Sequence, residues 1–340
     1  MTEIPPHPYP DFDVPRLVPS PRLTHLSHLH MHTSDLDASV RFFTDIIGMV
    51  ETHREGGSVY LRAWGEWMHH SLVLSGAPES GIECMAFRVQ DPSHVEAFAE
   101  RLQLAGTEVE HIPAGTEVAQ GEAIRFIAPG GHQYELFYDF ERIDHSEHAP
   151  SRLINQPLRF PGKGVAPRCI DHVSTLVENP GLERRWMEQV LGFHVTESCV
   201  RPDGWEIVNS MAVTPHPHDV NVFQGPASGM HHFAYRVDSL NELYRAAEIY
   251  AENLISVDAG PGKHGGSQGY FLYAKEPGGN RLELYAGGYE VFEPDWKPVV
   301  AGIEAIDFMN VWVGAPMDGE FLGSATPSRP VSKVPAGRRN

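Results

Sequence analysis

The chain repeats itself, and that repeat limits its fold more than any other feature. GIECMAFRVQD (residues 81–91) returns as GMHHFAYRVDS (229–239), 148 residues later. The same offset carries APGGHQYELF (128–137) onto EPGGNRLELY (276–285) and HHSLVL (69–74) onto PHDVNV (217–222). Near the start of each copy the offset shortens to 144, which sets His28 on His172. Two copies of one supersecondary plan, with small insertions between them, account for the pattern, and 340 residues suit two domains.

Within each copy the apolar period switches between helix and strand. DASVRFFTDIIGM places Val40, Phe43 and Ile47 on one helical stripe and stops at Gly48; LERRWMEQVLGF does so with Leu182, Trp186 and Val190 and stops at Gly192. VEAFAERLQLAG and NELYRAAEIYAEN read as a second amphipathic helix in each copy, and Pro-Gly-Gly at 129–131 and 277–279 as hairpin turns. Each half is therefore two βα-plus-strands units, four in all, an α+β protein. The expected boundaries are an N-terminal arm (1–21), an N-terminal domain without a complete metal site (22–145), a polar linker (146–164), a C-terminal catalytic domain (165–300), and an extension ending in a disordered tail (301–340).

Bulk properties exclude several partners. Lys and Arg number 26 against 45 Asp and Glu, a net charge of −19, which argues against nucleic acid and anionic membranes. The start, MTEIPPHPYPDF, has no basic and then apolar run, so no signal peptide is expected, and no apolar stretch is long enough to span a bilayer. Cys84, Cys169 and Cys199 lack CxxC spacing and point to a reducing cytoplasm. Most of the 20 histidines are expected on the surface.

Side-chain alternation in strands sorts the chemistry-bearing residues. In RCIDHVSTLV, His172 shares a face with Ile170 and Ser174. In GMHHFAYRV, His231 shares the apolar face of Phe233 and Tyr235, where a structural hydrogen bond is expected, while His232 lies with Ala234 and Arg236. In NRLELYAG, Glu283 sits opposite Leu282 and Leu284. Three strands thus each offer one metal-capable side chain, His172, His232 and Glu283, with small residues (Ser174, Ala234) leaving room beside them. Two imidazoles and a carboxylate suit non-haem Fe(II), and equally a catalytic zinc. The first copy presents His28, Cys84 and Glu135 at these positions and reads as vestigial.

The second half resembles the type I extradiol ring-cleavage dioxygenases of the vicinal oxygen chelate superfamily, and among them most nearly catechol 2,3-dioxygenase. The matching stretches are IDHVSTL, PHDVNVF, MHHFAYRV, GPGKHGGSQGYFLYAKEPGGNRLELYAGGY and PDWKP; in the first half GSVYLRAWGEWMHHSLVL, IPAG and PGGHQYELF match as well. The resemblance implies four βαβββ modules paired into two similar domains, and Fe(II), with Mn(II) as the other candidate, held by His172, His232 and Glu283. It also implies His218 as the acid–base histidine, with His264 and Tyr273 hydrogen-bonding the bound substrate. A catecholic substrate and O₂ would be the reactants, a 2-hydroxymuconic semialdehyde-type compound the product, and a homotetramer the assembly. Relatives that cleave carboxylated rings carry an arginine where this chain has Ala259, and Lys263 stands where arginine is common. With Ser174 and Ala234 as further substrate-binding positions, the reading favours catechol or an alkyl- or chloro-catechol, with Trp205, Ile207 and Phe223 as pocket candidates. Two rivals share the modules: a zinc or nickel lyase of the glyoxalase type (or a hydrolase), and a non-catalytic protein that sequesters small molecules. The first needs no histidine in PHD, and the second would have lost the ligand set.

Overall fold

The two halves lay down their strands in one order. The computed structural model describes residues 20–142, 150–225, 228–302, 309–312 and 319–330. The first half runs β1 (Leu23–Thr33), α1 (Leu36–Arg41), β2 (Val50–Glu55), β3 (Ser58–Arg62), β4 (Leu72–Gly76), β5 (Gly81–Val89), α2 (Ser93–Leu104), β6 (Glu110–Ile112), β7 (Ala123–Ile127) and β8 (Gln133–Phe137). The second runs β9 (Cys169–Val177), α3 (Pro180–Trp186), β10 (His194–Val200), β11 (Glu206–Ala212), β12 (Val220–Gln224), β13 (Gly229–Arg236), α4 (Leu240–Glu252), β14 (Val257–Lys263), β15 (Gly269–Lys275) and β16 (Arg281–Gly287). The sheet orders are β2-β3-β4-β1-β5-β8-β7-β6 and, matching it position for position, β10-β11-β12-β9-β13-β16-β15-β14. Each half is a pair of βαβββ modules joined at its centre by an antiparallel pair, β1 with β5 and β9 with β13. This is the expected architecture. Both Pro-Gly-Gly segments turn antiparallel hairpins, with Gly131 and Gly279 at positive φ.

The first helix of each half starts on a side-chain cap: Asp35 accepts from the Ala38 amide and Asn179 from the Leu182 amide, each at 3.0 Å. Each then widens into a π-helical turn, Phe42–Ile47 or Met187–Leu191, and ends on a left-handed glycine, Gly48 or Gly192. The wide turn breaks the 3.6-residue period. Val40, Phe43 and Ile47 are buried as the stripe predicts, but Leu182 is 47% exposed because the buried phase falls one residue on, at Glu183, Met187 and Leu191.

The two halves share one apolar core. Rings meet across it in the pairs Phe43–Phe233 (6.2 Å), Phe87–Phe193 (5.5 Å) and Phe126–Trp186 (5.9 Å). The buried Glu66 of the first half accepts from the Ile170 amide of the second at 2.7 Å, and Ser71 Oγ lies 2.8 Å from Tyr235 OH. With one face of each sheet committed to this core, the alternate residues are left to hold polar groups on the other.

Several expectations need correction. Over 319–330 the chain is not a disordered tail: α5 (Gly319–Gly323) and a short strand at Thr326–Pro327 pack back, the strand pairing with Met230 and Gly229 of β13. Another short strand, Val299–Gly302, extends the second sheet beside β10. Residues 1–19 of the arm, 143–149 at the start of the linker, and 331–340 lie outside the described residues. Nor are the histidines mostly on the surface: of the 17 described, nine (His28, His30, His70, His94, His132, His172, His218, His231 and His232) are buried and only His111 is exposed.

The repeat supplies a matched stability test. Gly48 and Gly192 share a left-handed φ, +84° and +80°, but a Cβ on Gly48 would stand 2.5 Å from the Lys163 carbonyl oxygen and one on Gly192 would meet nothing within 4 Å. Gly192→Ala is expected to cost about 1 kcal/mol, the usual penalty for a Cβ in that backbone region, and Gly48→Ala at least about twice as much. Urea unfolding midpoints report both; equal shifts would contradict the packing argument.

Candidate active site

Register brings the three donors together. His232 of β13 stands across from Ser174 of β9, two residues on from His172, and Ala234 of β13 stands across from Glu283 of β16. His172 Nε2 is 3.2 Å from His232 Nε2 and 3.0 Å from Glu283 Oε2; His232 Nε2 is 3.0 Å from the same oxygen. Ligand atoms about 2.1 Å from one metal and at right angles to one another stand about 3.0 Å apart. The spacing therefore fits a single cation without rearrangement. All three side chains are buried.

Hydrogen bonds behind the donors set their orientation. Asp171 Oδ1 lies 2.7 Å from His172 Nδ1, and Arg236 Nε donates to Asp171 Oδ2 at 2.8 Å. His232 Nδ1 is 2.6 Å from His231 Nδ1, and His231 Nε2 is 2.9 Å from the Phe321 carbonyl oxygen. Both ligand histidines are thus held through Nδ1 with Nε2 aimed at the centre, the usual outer-shell arrangement of a metal-binding imidazole. His231 does not sit on the apolar face that alternation predicts. A register shift between Met230 and His232 breaks the alternation and turns both histidines toward the same cavity.

The electrostatics are those of a buried triad. Burial pushes the Glu283 pKa up, but His232 and His172 outweigh it and hold the carboxyl well below its usual range. Burial pulls His172 down, but Glu283 and Asp171 outweigh it and raise its pKa. His232 is lowered to about 4, chiefly by burial.

A cavity opens on the triad, lined by His172, His218, His232, His264, Tyr273 and Glu283. His218, in the loop before β12, lies edge-on to His172 with ring centres 4.2 Å apart, and its Nδ1 has no hydrogen-bond partner among the described residues. Burial, then the neighbouring His172, drives its pKa well below 6.5, so it rests as a neutral base rather than titrating near neutrality. His264 Nδ1 is 2.6 Å from the Met309 carbonyl oxygen, which assigns the proton to Nδ1 and leaves Nε2 to accept from Tyr273 OH at 3.2 Å. Burial, followed by Glu283, pushes the Tyr273 phenol well above 10.

The other sequence candidates divide. Phe223 lines the cavity, but Trp205 and Ile207 do not; Val208 and Ser210, on the opposite phase of β11, take that place. Ser174, Ala234 and Lys263 flank the centre without lining the cavity. Ser174 Oγ accepts from Asn221 at 3.1 Å, Ala234 is fully buried, and Lys263 Nζ lies 5.3 Å from the centre of the Tyr270 ring. Met309 and Phe321 complete the lining from beyond the repeat, where no internal counterpart marked them. Asp171 could have been suspected from its place beside the ligand histidine.

The first half satisfies its buried Glu135 differently. Arg125, the counterpart of Tyr273, donates from Nε to Oε2 at 2.5 Å, and Gln120 Nε2 donates to Oε1 at 2.6 Å. Burial, then Glu135, raises the Cys84 thiol well above its usual range. A guanidinium thus meets the carboxylate where the second half gathers its imidazoles.

Known proteins share this plan. Residues 82–141 match the catechol 2,3-dioxygenase-like N-terminal domain, and residues 169–284 match the Glyoxalase/Bleomycin resistance protein/Dioxygenase superfamily. The chain is 41% identical over 295 residues to a manganese-dependent 2,3-dihydroxybiphenyl 1,2-dioxygenase of Geobacillus genomosp. 3, covering 85% of this chain and 93% of that one. It is 30% identical over 307 residues to a metapyrocatechase of Geobacillus stearothermophilus, covering 89% and 93%. The structure of the 2,3-dioxygenase LapB from Pseudomonas sp. KL28 superposes with a TM-score of 0.79 at 29% identity, covering 84% of this chain and 99% of that one.

The outer hydrogen bonds make a measurable demand. Asp171→Ala frees the His172 ring and is expected to weaken divalent-metal binding about 10- to 100-fold, read by competition with a chelator. Unchanged affinity would show that Asp171 does not orient the ligand.

Proposed function

Because the chain belongs to the extradiol ring-cleaving dioxygenases of the glyoxalase/bleomycin resistance/dioxygenase superfamily, we propose that His172, His232 and Glu283 hold its catalytic metal and that this metal is Fe(II). The protein is an enzyme that opens the rings of catechols with O₂. The observation that carries the site assignment is the 3.0–3.2 Å spacing of three buried donors on three strands. When bound, the metal acidifies the catechol hydroxyls and gives both reactants one meeting place. Mn(II) is the second reading, favoured by the name of the Geobacillus genomosp. 3 relative.

The surrounding residues take the proton traffic. His218, neutral at rest, accepts a proton from a catechol hydroxyl and returns it as the ring opens. Tyr273, kept protonated by burial, has one hydroxyl proton, which rests on His264 Nε2 and turns to the bound substrate when it arrives. Val208, Phe223, Met309 and Phe321 give the cavity an apolar wall. The guanidinium of Arg281 is committed to Asp258 and to the carbonyls of Phe321 and Ser324. A ring carboxylate would thus meet Glu197 and no free cation among the lining residues. This supports catechol or an alkyl- or chloro-catechol, cleaved beside the two hydroxyls to a 2-hydroxymuconic semialdehyde-type product that keeps both oxygen atoms.

We place the enzyme in the cytoplasm, in keeping with cysteines that form no disulfide among the described residues. We further propose a homotetramer, for which Leu153, Ile154, Phe292 and Val300, all exposed, would supply apolar contact.

Protein stripped of metal and reloaded anaerobically with Fe(II) or Mn(II) is expected to turn catechol yellow in air with matching O₂ uptake, and His232→Ala to do neither. Greater activity with Mn(II) would overturn the iron assignment, and tight catechol binding without turnover would overturn the reaction. His218→Asn is expected to keep its metal while kcat falls about 10²- to 10⁴-fold; an unaltered rate would remove His218 from the proton path.

A further inference from the structure

Three of the buried histidines in the first half, which ring cleavage does not use, stand together. His28 and His30 are two residues apart on β1 and so share a face. His70 lies in the segment entering β4, which pairs with β1 at Leu29 and Leu72. One nitrogen from each imidazole lies within 4.8 Å of the other two, and none of the three residues is more than 7% exposed. The rings of His28 and His70 meet edge to face at 4.8 Å, and those of His28 and His30 lie 5.0 Å apart.

One nitrogen of the cluster is left without a hydrogen bond among the described residues. Ser27 Oγ is 3.2 Å from His28 Nδ1, while His28 Nε2, fully buried, has no partner among the described residues. His69 Nδ1 is 3.0 Å from His70 Nδ1, so His70 is held through that nitrogen. Ser27 stands where Asp171 stands in the second half and engages the same ring nitrogen of the equivalent histidine. A buried imidazole nitrogen with no partner is costly to keep, and a cation bound there would remove the cost.

We propose that His28, His30 and His70 form a second metal site in the N-terminal domain, taking a borderline divalent ion of the zinc class. Three imidazoles without a carboxylate suit Zn(II), whose nitrogen ligands sit about 2.0–2.1 Å from the metal in a tetrahedron. The site is not a second copy of the catalytic triad. Glu135 is committed to Arg125, Cys84 is a buried thiol, and only His28 occupies a position equivalent to a triad ligand. His70 is instead the counterpart of His218, and His30 of Ser174. Met68, Phe137 and Phe140 close the space beside the rings to about 10 Å³, room for one water as a fourth ligand and none for an aromatic substrate. The ion therefore clips β1 to the segment before β4 and takes no part in turnover.

The test counts metal. Metal-free chain equilibrated with a small excess of Zn(II) and then dialysed is expected to hold two ions per chain. His232→Ala, His70→Ala and His30→Asn are each expected to hold one, with circular dichroism showing each variant folded. Zn(II) should raise the melting temperature of His232→Ala and lose that effect when His70→Ala is added. Co(II) bound to His232→Ala should give the intense visible bands of a tetrahedral site. One ion in the wild type with none in His232→Ala, or two in both folded His70→Ala and His30→Asn, would overturn the proposal.

Discussion

A carboxylate with no access to water must meet positive charge, and the same strand position in both halves carries one. Glu135 and Glu283 are each fully buried. Removing the partner of such a group typically costs about 3–5 kcal/mol, because the charge that remains is neither solvated nor paired. In the first half Arg125 supplies the partner and Gln120 fills the second oxygen. In the second half Tyr273 replaces the arginine, which removes the fixed cation and leaves Glu283 facing His172 and His232. Two exchanges, Tyr273 for Arg125 and His232 for Cys84, thus separate a closed structural pair from a centre that favours an added ion. Everything nearby, from the lowered pKa of Glu283 to the raised pKa of His172, follows from that carboxylate's need for charge.

Convergence depends on registers that the backbone fixes far from the centre. β9, β13 and β16 are neighbours in the sheet, so a one-residue slip in any of them would carry its donor to the apolar core. The shared core prevents slippage, because Phe233, Leu282 and Leu284 alternate with the donors and are themselves fully buried. The same irregularity that breaks alternation at Met230 and His232 gives the site its outer support. It turns His231 into contact with both His232 and Phe321, and so links a ligand to the segment that covers the cavity.

How much of this was legible follows from which signals are periodic. The repeat and the alternation of strand residues were enough to select His172, His232 and Glu283 from 20 histidines and 45 acids, since both signals come from regular backbone geometry. The face of His231 was misread because a register shift leaves no mark in the pattern. Leu182 was misread because the first helix of the second half buries the phase of Glu183, Met187 and Leu191, one residue on, and a charged Glu183 masks that phase in the pattern. Met309 and Phe321 come from outside the repeat, and Val208 was passed over for Ile207 because strand phase is ambiguous when both residues are apolar. The residues proposed to handle protons, His218, His264 and Tyr273, came from resemblance rather than spacing, because His218 and His264 lie in loops and nothing in strand alternation singles out Tyr273 on β15.

The two halves also differ in the hardness of what they present. The second half joins a carboxylate to two imidazoles, a set that accepts Fe(II) or Mn(II) and leaves positions for oxygen donors. The first half withdraws its carboxylate into an ion pair and gathers imidazoles alone, a set with more affinity for softer ions. One backbone plan therefore separates two kinds of coordination chemistry by deciding, at a single strand position, whether the buried acid is already neutralised. The cavity wall opposite the triad comes from other elements: Val208 and Ser210 of β11, the loop that carries His264, and Met309 and Phe321. In such a chain the conserved geometry of the sheets fixes where a reaction occurs, and the irregular parts are free to determine on what.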